Sequence, residues 1–285
     1  MKKVLILGGS GLVGYTLVKK FKEHNWWVSA LTFQSEVREA SETINLDLSQ
    51  SSLFNKLPDL RNFELVVNTL AITDVKSNEF RFNDAFTLHV ELSRFLARNS
   101  TKYVYISTVS VYSETPNFSE STRISLSNWY SKTKFFGEPN NSHLTLRINV
   151  IGLVSLTKRS LLEWAYDNLS TDNEITGFEN QFINPVLPNH VFEVIMKYAE
   201  KHITPGLYDL GSEKIISKYS LIQSLAELIG KEEYLKKGRS GIEDKYQITR
   251  SENTLKVNFE FKDYVSGYLE EIKGAQAILH RRYRC

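Results

Sequence analysis

Val4-Leu5-Ile6-Leu7 is an unbroken apolar run with two β-branched residues, the pattern of a parallel strand buried on both faces. Gly8-Gly9-Ser10-Gly11-Leu12-Val13-Gly14 follows at once. From Tyr15 the period changes, and Leu17, Val18 and Phe21 fall on one side of a predicted helix. A second strand is expected over Trp27–Thr32. Residues 45–49 read equally as a third short strand ending in an acid or as a cap before a helix at Ser52-Leu53-Phe54. Leu65–Asn68 is strand-like, residues 79–99 predict one long amphipathic helix, and residues 103–107 another strand. A helix is expected over residues 130–137, ahead of strand-like residues 143–148.

Strands alternating with helices predict an α/β fold built on a doubly wound, parallel, Rossmann-like sheet, with ligands at the carboxyl ends of its strands. Past Gly152 the pattern loosens. Residues 161–169 are helical, 172–184 polar and turn-rich, 191–201 a helix, 206–210 a strand and 220–229 a helix. The expected division is a dinucleotide-binding domain over residues 1–151, to which 184–210 return, and a smaller C-terminal substrate-binding cap from 152–183 and 211–285.

Composition narrows the function classes. Lys and Arg number 35 against 33 Asp and Glu, a balance of +2 that lacks the basic excess of a nucleic-acid surface. A hydrophobic share of 41% can build a core and argues against disorder. Cys285 is the single cysteine, which rules out an internal disulfide or a thiolate metal centre. The 6 histidines are scattered, so no metal is expected. No apolar run approaches the roughly 18 residues a membrane helix needs. Met1-Lys2-Lys3 precedes only four apolar residues before Gly8, too few for a secretion signal. A cytoplasmic protein without membrane or nucleic-acid partners is expected.

Strand, glycine turn and helix in that order are the context of a dinucleotide site. Glycines at 8, 11 and 14 give the spacing G-x-x-G-x-x-G, which lets the backbone approach a pyrophosphate that the helix amides then face. The Gly-Lys-Ser/Thr of a triphosphate loop is absent, since Gly14-Tyr15-Thr16 stands there. The second strand ends without the carboxylate that holds the ribose of NAD, which favours NADP(H) over NAD(H). Thr32, Ser35 and Arg38 are the candidates beside its 2′-phosphate. Further along, Tyr130 and Lys134 stand four apart, on one face of a helix. An ammonium there would favour the tyrosinate, lower the phenol pKa and tune it for proton transfer to a sugar or alcohol oxygen. The preceding strand ends in the hydroxyl pair Ser107-Thr108.

Taken together, these stretches resemble the extended short-chain dehydrogenases/reductases, and within them the dTDP-4-dehydrorhamnose reductase-like branch. The resemblance rests on Gly8 to Gly14, Asn45-Leu46-Asp47-Leu48, Val67-Asn68-Thr69-Leu70-Ala71, Tyr105-Ile106-Ser107-Thr108 and Tyr130-Ser131-Lys132-Thr133-Lys134. Leu146-Arg147 and Pro205-Gly206-Leu207-Tyr208-Asp209-Leu210 extend it. It implies that Gly8, Ser10, Gly11, Leu12, Val13 and Gly14 hold the pyrophosphate, Asp47 and Leu48 flank the adenine, and Asn68, Leu70 and Ala71 line ribose and phosphates. It also implies a trio of Thr108, Tyr130 and Lys134, the last two touching the cofactor as well. The implied reaction is reduction of a 4-keto group on a nucleotide-activated (deoxy)hexose for polysaccharide or glycan precursors. Homodimers are common among the proteins it resembles.

Departures from the family pattern narrow that reaction. Val109-Ser110 follows Thr108 where the dehydratases carry acids, so dehydration is not expected. Rhamnose reductases also carry Asp after the Thr, which leaves the sugar open. Cys285 is poorly placed for a cysteine-assisted epimerisation, and His89 stands where many relatives have Asn. Two other readings remain: a 4-epimerase that keeps NAD tightly bound, and a non-catalytic, NADP-binding regulatory subunit of the same fold.

Overall fold

The N-terminal apolar run forms β1 (Lys3–Leu7) at the heart of a wide sheet. The computed structural model describes residues 1–112, 114, 124–152, 160–250 and 252–266. After β1 come α1 (Leu12–Glu23), β2 (Trp27–Thr32), β3 (Glu42–Asn45) and β4 (Leu65–Asn68). Helices α2 (Val75–Phe80), α3 (Phe82–Phe86) and α4 (Leu92–Asn99) lead to β5 (Tyr103–Thr108), α5 (Trp129–Phe136) and β6 (Leu144–Ile148). The remainder holds α6 (Leu161–Ser170), β7 (Ile175–Phe178), β8 (Gln181–Ile183), α7 (Pro188–Ala199), β9 (Gly206–Ser212) and β10 (Ile216–Ser217). It continues with α8 (Lys218–Ile229), β11 (Leu235–Gly238), β12 (Lys245–Gln247) and β13 (Thr254–Val257).

The main sheet has 8 strands in the order β13-β9-β6-β5-β4-β1-β2-β3, every pair parallel. Alternation along each strand feeds two separate cores. Val4, Ile6, Val28 and Ala30 pack with α1 and α7, while Leu5, Leu7, Val66 and Tyr105 pack with Leu92 and Leu96 of α4. A third cluster joins Leu162 and Leu169 of α6 to Leu221, Ile222 and Leu225 of α8, beside the small sheets β10-β8-β12 and β11-β7. Strand order reverses between β1 and β4, which opens a crevice at their carboxyl ends.

Four elements differ from the sequence expectation. The third strand is Glu42–Asn45, so Asp47 lies beyond it and takes the Ser49 N–H at 2.9 Å, neither strand end nor helix cap. The helix expected over 79–99 breaks at Arg81 and, over Thr87–Glu91, widens into a π turn. Polar residues 172–184 contain β7 and β8, each paired with a strand more than fifty residues later. Thr254–Val257, assigned above to the cap, pairs with β9 as an edge strand of the main sheet.

One buried charge network ties this frame together. Arg147 on β6 donates Nε to Glu138 Oε1 at 2.8 Å and Nη2 to Glu138 Oε2 at 2.7 Å, just past α5. Its Nη1 reaches the Tyr112 hydroxyl at 2.8 Å, which donates to Asp209 Oδ1 on β9 at 2.9 Å. Ser107 of β5 donates to Glu138 Oε1 at 2.6 Å. Burial opposes the Arg147 charge, but Glu138 and Tyr112 outweigh it and hold the guanidinium pKa above its ordinary value. Removing one partner strands a buried charge. Arg147→Leu is therefore expected to lower the unfolding free energy by about 3–5 kcal/mol; urea denaturation of the two proteins measures it, and a loss under about 1 kcal/mol would mark the pair as dispensable.

Candidate active site

The glycine turn sits at the strand-order reversal. Gly8 has φ 83°, and a Cβ there would stand 2.7 Å from Thr69 Oγ1. A Cβ on Gly14 would lie 2.1 Å from the Gly8 carbonyl oxygen, so only glycine lets α1 close on the turn. Thr69 after β4 donates to the Leu7 carbonyl at 2.7 Å and stitches the two strand ends together. Gly11 caps α1 without any side-chain hydrogen bond, and no acid occupies the first turn. The positive helix end thus faces the crevice with no acid in its own first turn, which fits a pyrophosphate.

A cleft of about 680 Å³ runs from this turn to β5, β6 and α5. Gly8, Ser10, Gly11, Leu12, Val13 and Gly14 line one side. Thr32, Leu70 and Ala71 line a flank, and Thr108, Tyr130 and Lys134 face it. The structure thus brings the predicted trio and the glycine turn to one cavity. Four expected residues lie outside the lining. Arg38 is exposed, and Leu48 is buried in the core with Leu31 and Phe54, since β3 ends at Asn45. Asp47 turns back on Ser49. Asn68 is fully buried, giving Nδ2 to the Tyr103 hydroxyl and taking the Leu70 N–H at 3.1 Å. It shapes the wall from behind.

Thr32 lines the cleft, yet its hydroxyl is already turned to Ser35 O at 2.5 Å and Asn45 Oδ1 at 2.8 Å. Phe33, Gln34 and Ser35 continue the lining there, without a carboxylate. Sequence reasoning missed Asn149, Ser160 and Gln247, which reach the cleft from distant segments and carried no local motif. Thr69 had a signal, lying between the quoted Asn68 and Leu70.

Thr108 ends β5; its Oγ1 accepts the Ser110 N–H at 3.1 Å, and its hydroxyl also hydrogen-bonds Tyr130. Tyr130 stands in the first turn of α5, fixed by a capping box in which Asn128 Oδ1 accepts the Ser131 N–H at 2.8 Å. Burial raises the Tyr130 pKa, and hydrogen bonding with Thr108 opposes the rise. This corrects the expected lowering by Lys134. The Lys134 amine donates to the Ile106 carbonyl at 2.6 Å and lies 4.2 Å from the Tyr105 ring centre. Burial brings its pKa down to about 7 against the opposing charge of Glu138, so near neutral pH it is only partly an ammonium. The phenol is therefore a protonated donor at neutral pH.

Residues 1–254 match the family model described as the RmlD substrate binding domain. Methionine adenosyltransferase 2 subunit beta of Rattus norvegicus is 26% identical over 242 residues, covering 79% of this chain and 72% of that protein. Spore coat polysaccharide biosynthesis protein SpsK of Bacillus subtilis is 25% identical over 242 residues, 81% of each. The Bordetella bronchiseptica enzyme WbmH, solved with NAD⁺, superposes with a TM-score of 0.77 at 16% identity, over 93% of this chain and 96% of that one. The dTDP-4-dehydrorhamnose reductase of Bacillus anthracis, solved with NADP, gives 0.71 at 16%, over 95% and 99%. At such identities the superpositions show a shared fold. Among the described residues no helix is long and apolar enough to cross a membrane.

The buried amine predicts a pH signature. Unfolded lysine titrates near ~10.4, while Lys134 in the fold titrates near 7. Between those values the unfolded chain binds the extra proton, so stability rises with pH. From pH 7 to 9 the rise amounts to at most about 1.4 kcal/mol per pH unit, and Lys134→Met is expected to flatten it. Urea titrations of both proteins at pH 7, 8 and 9 make the comparison; parallel pH curves would give Lys134 an ordinary pKa.

Proposed function

Because this chain belongs to the RmlD substrate binding domain family, we propose that it reduces a 4-keto group on a nucleotide-activated (deoxy)hexose with a nicotinamide dinucleotide, toward a polysaccharide or glycan precursor. The observation that carries this reading is the meeting of Thr108, Tyr130 and Lys134 on the cleft onto which the uncapped end of α1 opens. Held along Gly8 to Gly14 and Lys134, a reduced dinucleotide would supply the hydride for the carbonyl carbon. Tyr130 gives its phenolic proton to the oxygen that becomes alkoxide, and the product is an alcohol. Its raised pKa keeps that proton in place until negative charge develops on the acceptor. Thr108, with its oxygen engaged by the Ser110 N–H, hydrogen-bonds the same substrate oxygen. Lys134 would hold the ribose hydroxyls. The carboxylate-free end of β2, at Thr32 to Ser35, supports NADP(H) ahead of NAD(H). Val109, 2% exposed, supplies no acid for dehydration. The smaller unit around α6 and α8 would close over the sugar.

The similarity to proteins named as a subunit beta favours a second reading, a non-catalytic dinucleotide-binding accessory subunit. Incubation with a panel of 4-keto-sugar nucleotides and either NADPH or NADH, followed by loss of reduced-cofactor absorbance, separates the two. Turnover supports the reductase, and silence across the panel despite dinucleotide binding supports the subunit. Stoichiometric NAD retained through purification would point instead to an epimerase. Tyr130→Phe is expected to bind the dinucleotide normally and to lose about 10²–10⁴ in kcat; an unchanged kcat removes Tyr130 from the chemistry.

A further inference from the structure

His89 sits in the π turn of Thr87–Glu91, fully buried, where the helix periodicity is interrupted. π turns of this kind concentrate at functional sites. Its Nε2 takes the Ile72 N–H at 3.0 Å, and its Nδ1 lies 2.8 Å from Thr133 Oγ1. Each partner neighbours residues that line the cleft. Ile72 lies between Ala71 and Thr73, both of which line it, and Thr133 lies on α5 beside Lys134 and one turn beyond Tyr130.

The hydrogen bonds fix the ring's protonation by geometry. The Thr133 hydroxyl already gives its proton to the Trp129 carbonyl at 2.8 Å, so toward His89 it can only accept. Nδ1 must then carry the hydrogen, and Nε2 must present its lone pair to the Ile72 amide. Either other form, the Nε2–H tautomer or imidazolium, would set donor against donor. The Ile72 peptide is pinned from its other side as well, since Asn78 Nδ2 donates to its carbonyl at 2.5 Å. The π turn also meets α5 directly. Tyr105 donates to the carbonyls of His89 and Lys134, Ser93 donates to the Gly137 carbonyl, and a Cβ on Gly137 would stand 1.9 Å from the His89 carbonyl oxygen.

We infer that His89 is a positioning residue: a neutral Nδ1–H imidazole that sets the spacing between the wall at residues 70–73 and the helix carrying Tyr130 and Lys134. The inference rests on the dinucleotide-dependent reading of the cleft. His89 touches neither substrate nor cofactor; it acts through Ile72 and Thr133. The charged or titratable groups around it are Lys134 and Tyr130 on α5 and Tyr105 on β5. Burial, with Lys134, holds its pKa well below the usual histidine value, in keeping with the neutral ring.

Two measurements test this. ¹⁵N NMR of the histidine-labelled full chain at pH 7 is expected to show His89 as the Nδ1–H tautomer; an Nε2–H tautomer or an imidazolium overturns the inference. Fluorescence titration with NADPH and NADH then compares the wild type with His89→Leu and His89→Gln, with the thermal midpoint of each recorded. Leucine leaves the Ile72 amide without an acceptor and is expected to weaken dinucleotide binding roughly tenfold or more. Glutamine offers a donor and an acceptor and should restore it to within about threefold. Equal affinity in all three overturns the positioning role. Should the leucine variant fail to fold, Thr133→Val removes the other end of the link and carries the same expectation. Wild-type protein that binds neither dinucleotide would fail the functional reading instead, and the tautomer would still decide the geometry around His89.

Discussion

The cleft side of the molecule depends on one buried ion pair. Arg147 and Glu138 bind through two parallel hydrogen bonds in a place where either alone would be an uncompensated charge. Because Glu138 follows directly on α5 and Arg147 sits in β6, the pair fixes the end of the Tyr130/Lys134 helix against the sheet. Tyr112 and Asp209 carry that fixation on to β9, and Ser107 brings in the strand that ends at Thr108. Apolar packing alone would let α5 slide. A bidentate guanidinium–carboxylate pair has one geometry, so it sets a register.

Against that frame the cleft divides its electrostatics between two ends. One end offers helix amides with no acid in the helix's first turn, a fixed dipole whose sign no pH change can reverse. The other holds a phenol that burial keeps protonated and an amine that burial brings to the edge of neutrality. A desolvated amine responds strongly to a new neighbour, so a ligand hydroxyl or phosphate nearby would shift its protonation more than it would a surface lysine's. The threonine hydroxyl, by contrast, is held by the Ser110 backbone N–H, which does not titrate.

The legible parts of the fold were those whose signal is local. Gly8 to Gly14 announces itself because strand, glycine turn and helix follow one another along the chain, and Tyr130 and Lys134 do so through helical pitch. Asp47 and Leu48 were misplaced because β3 ends two residues earlier than the motif suggested, and a short slip on a loop moves a side chain from a cleft to the core. The break at Arg81 and the π turn at Thr87–Glu91 are marked by no glycine or proline, so residues 79–99 read as one helix. Strands β7, β8 and β12 are each three or four residues long and pair with distant partners, so none has an alternation long enough to read. Gln247 reaches the cleft through those pairings, and only the tertiary structure reveals it. The resemblance sets Asn68 against ribose and phosphates, and in the structure its amide bonds Tyr103 and Leu70 behind the wall.

The edge strand β13 has a consequence for how the chain is made. Its partner β9 is complete at Ser212, but residues 254–257 come more than forty positions later, after the whole of α8 and the small sheets. A chain emerging from the ribosome therefore passes through a stage in which β9 shows an unpaired backbone edge beside an otherwise finished sheet, the condition under which strands recruit neighbouring molecules. Shortening the chain ahead of Thr254 would leave the β9 edge open for good, a template on which strands of neighbouring molecules could add.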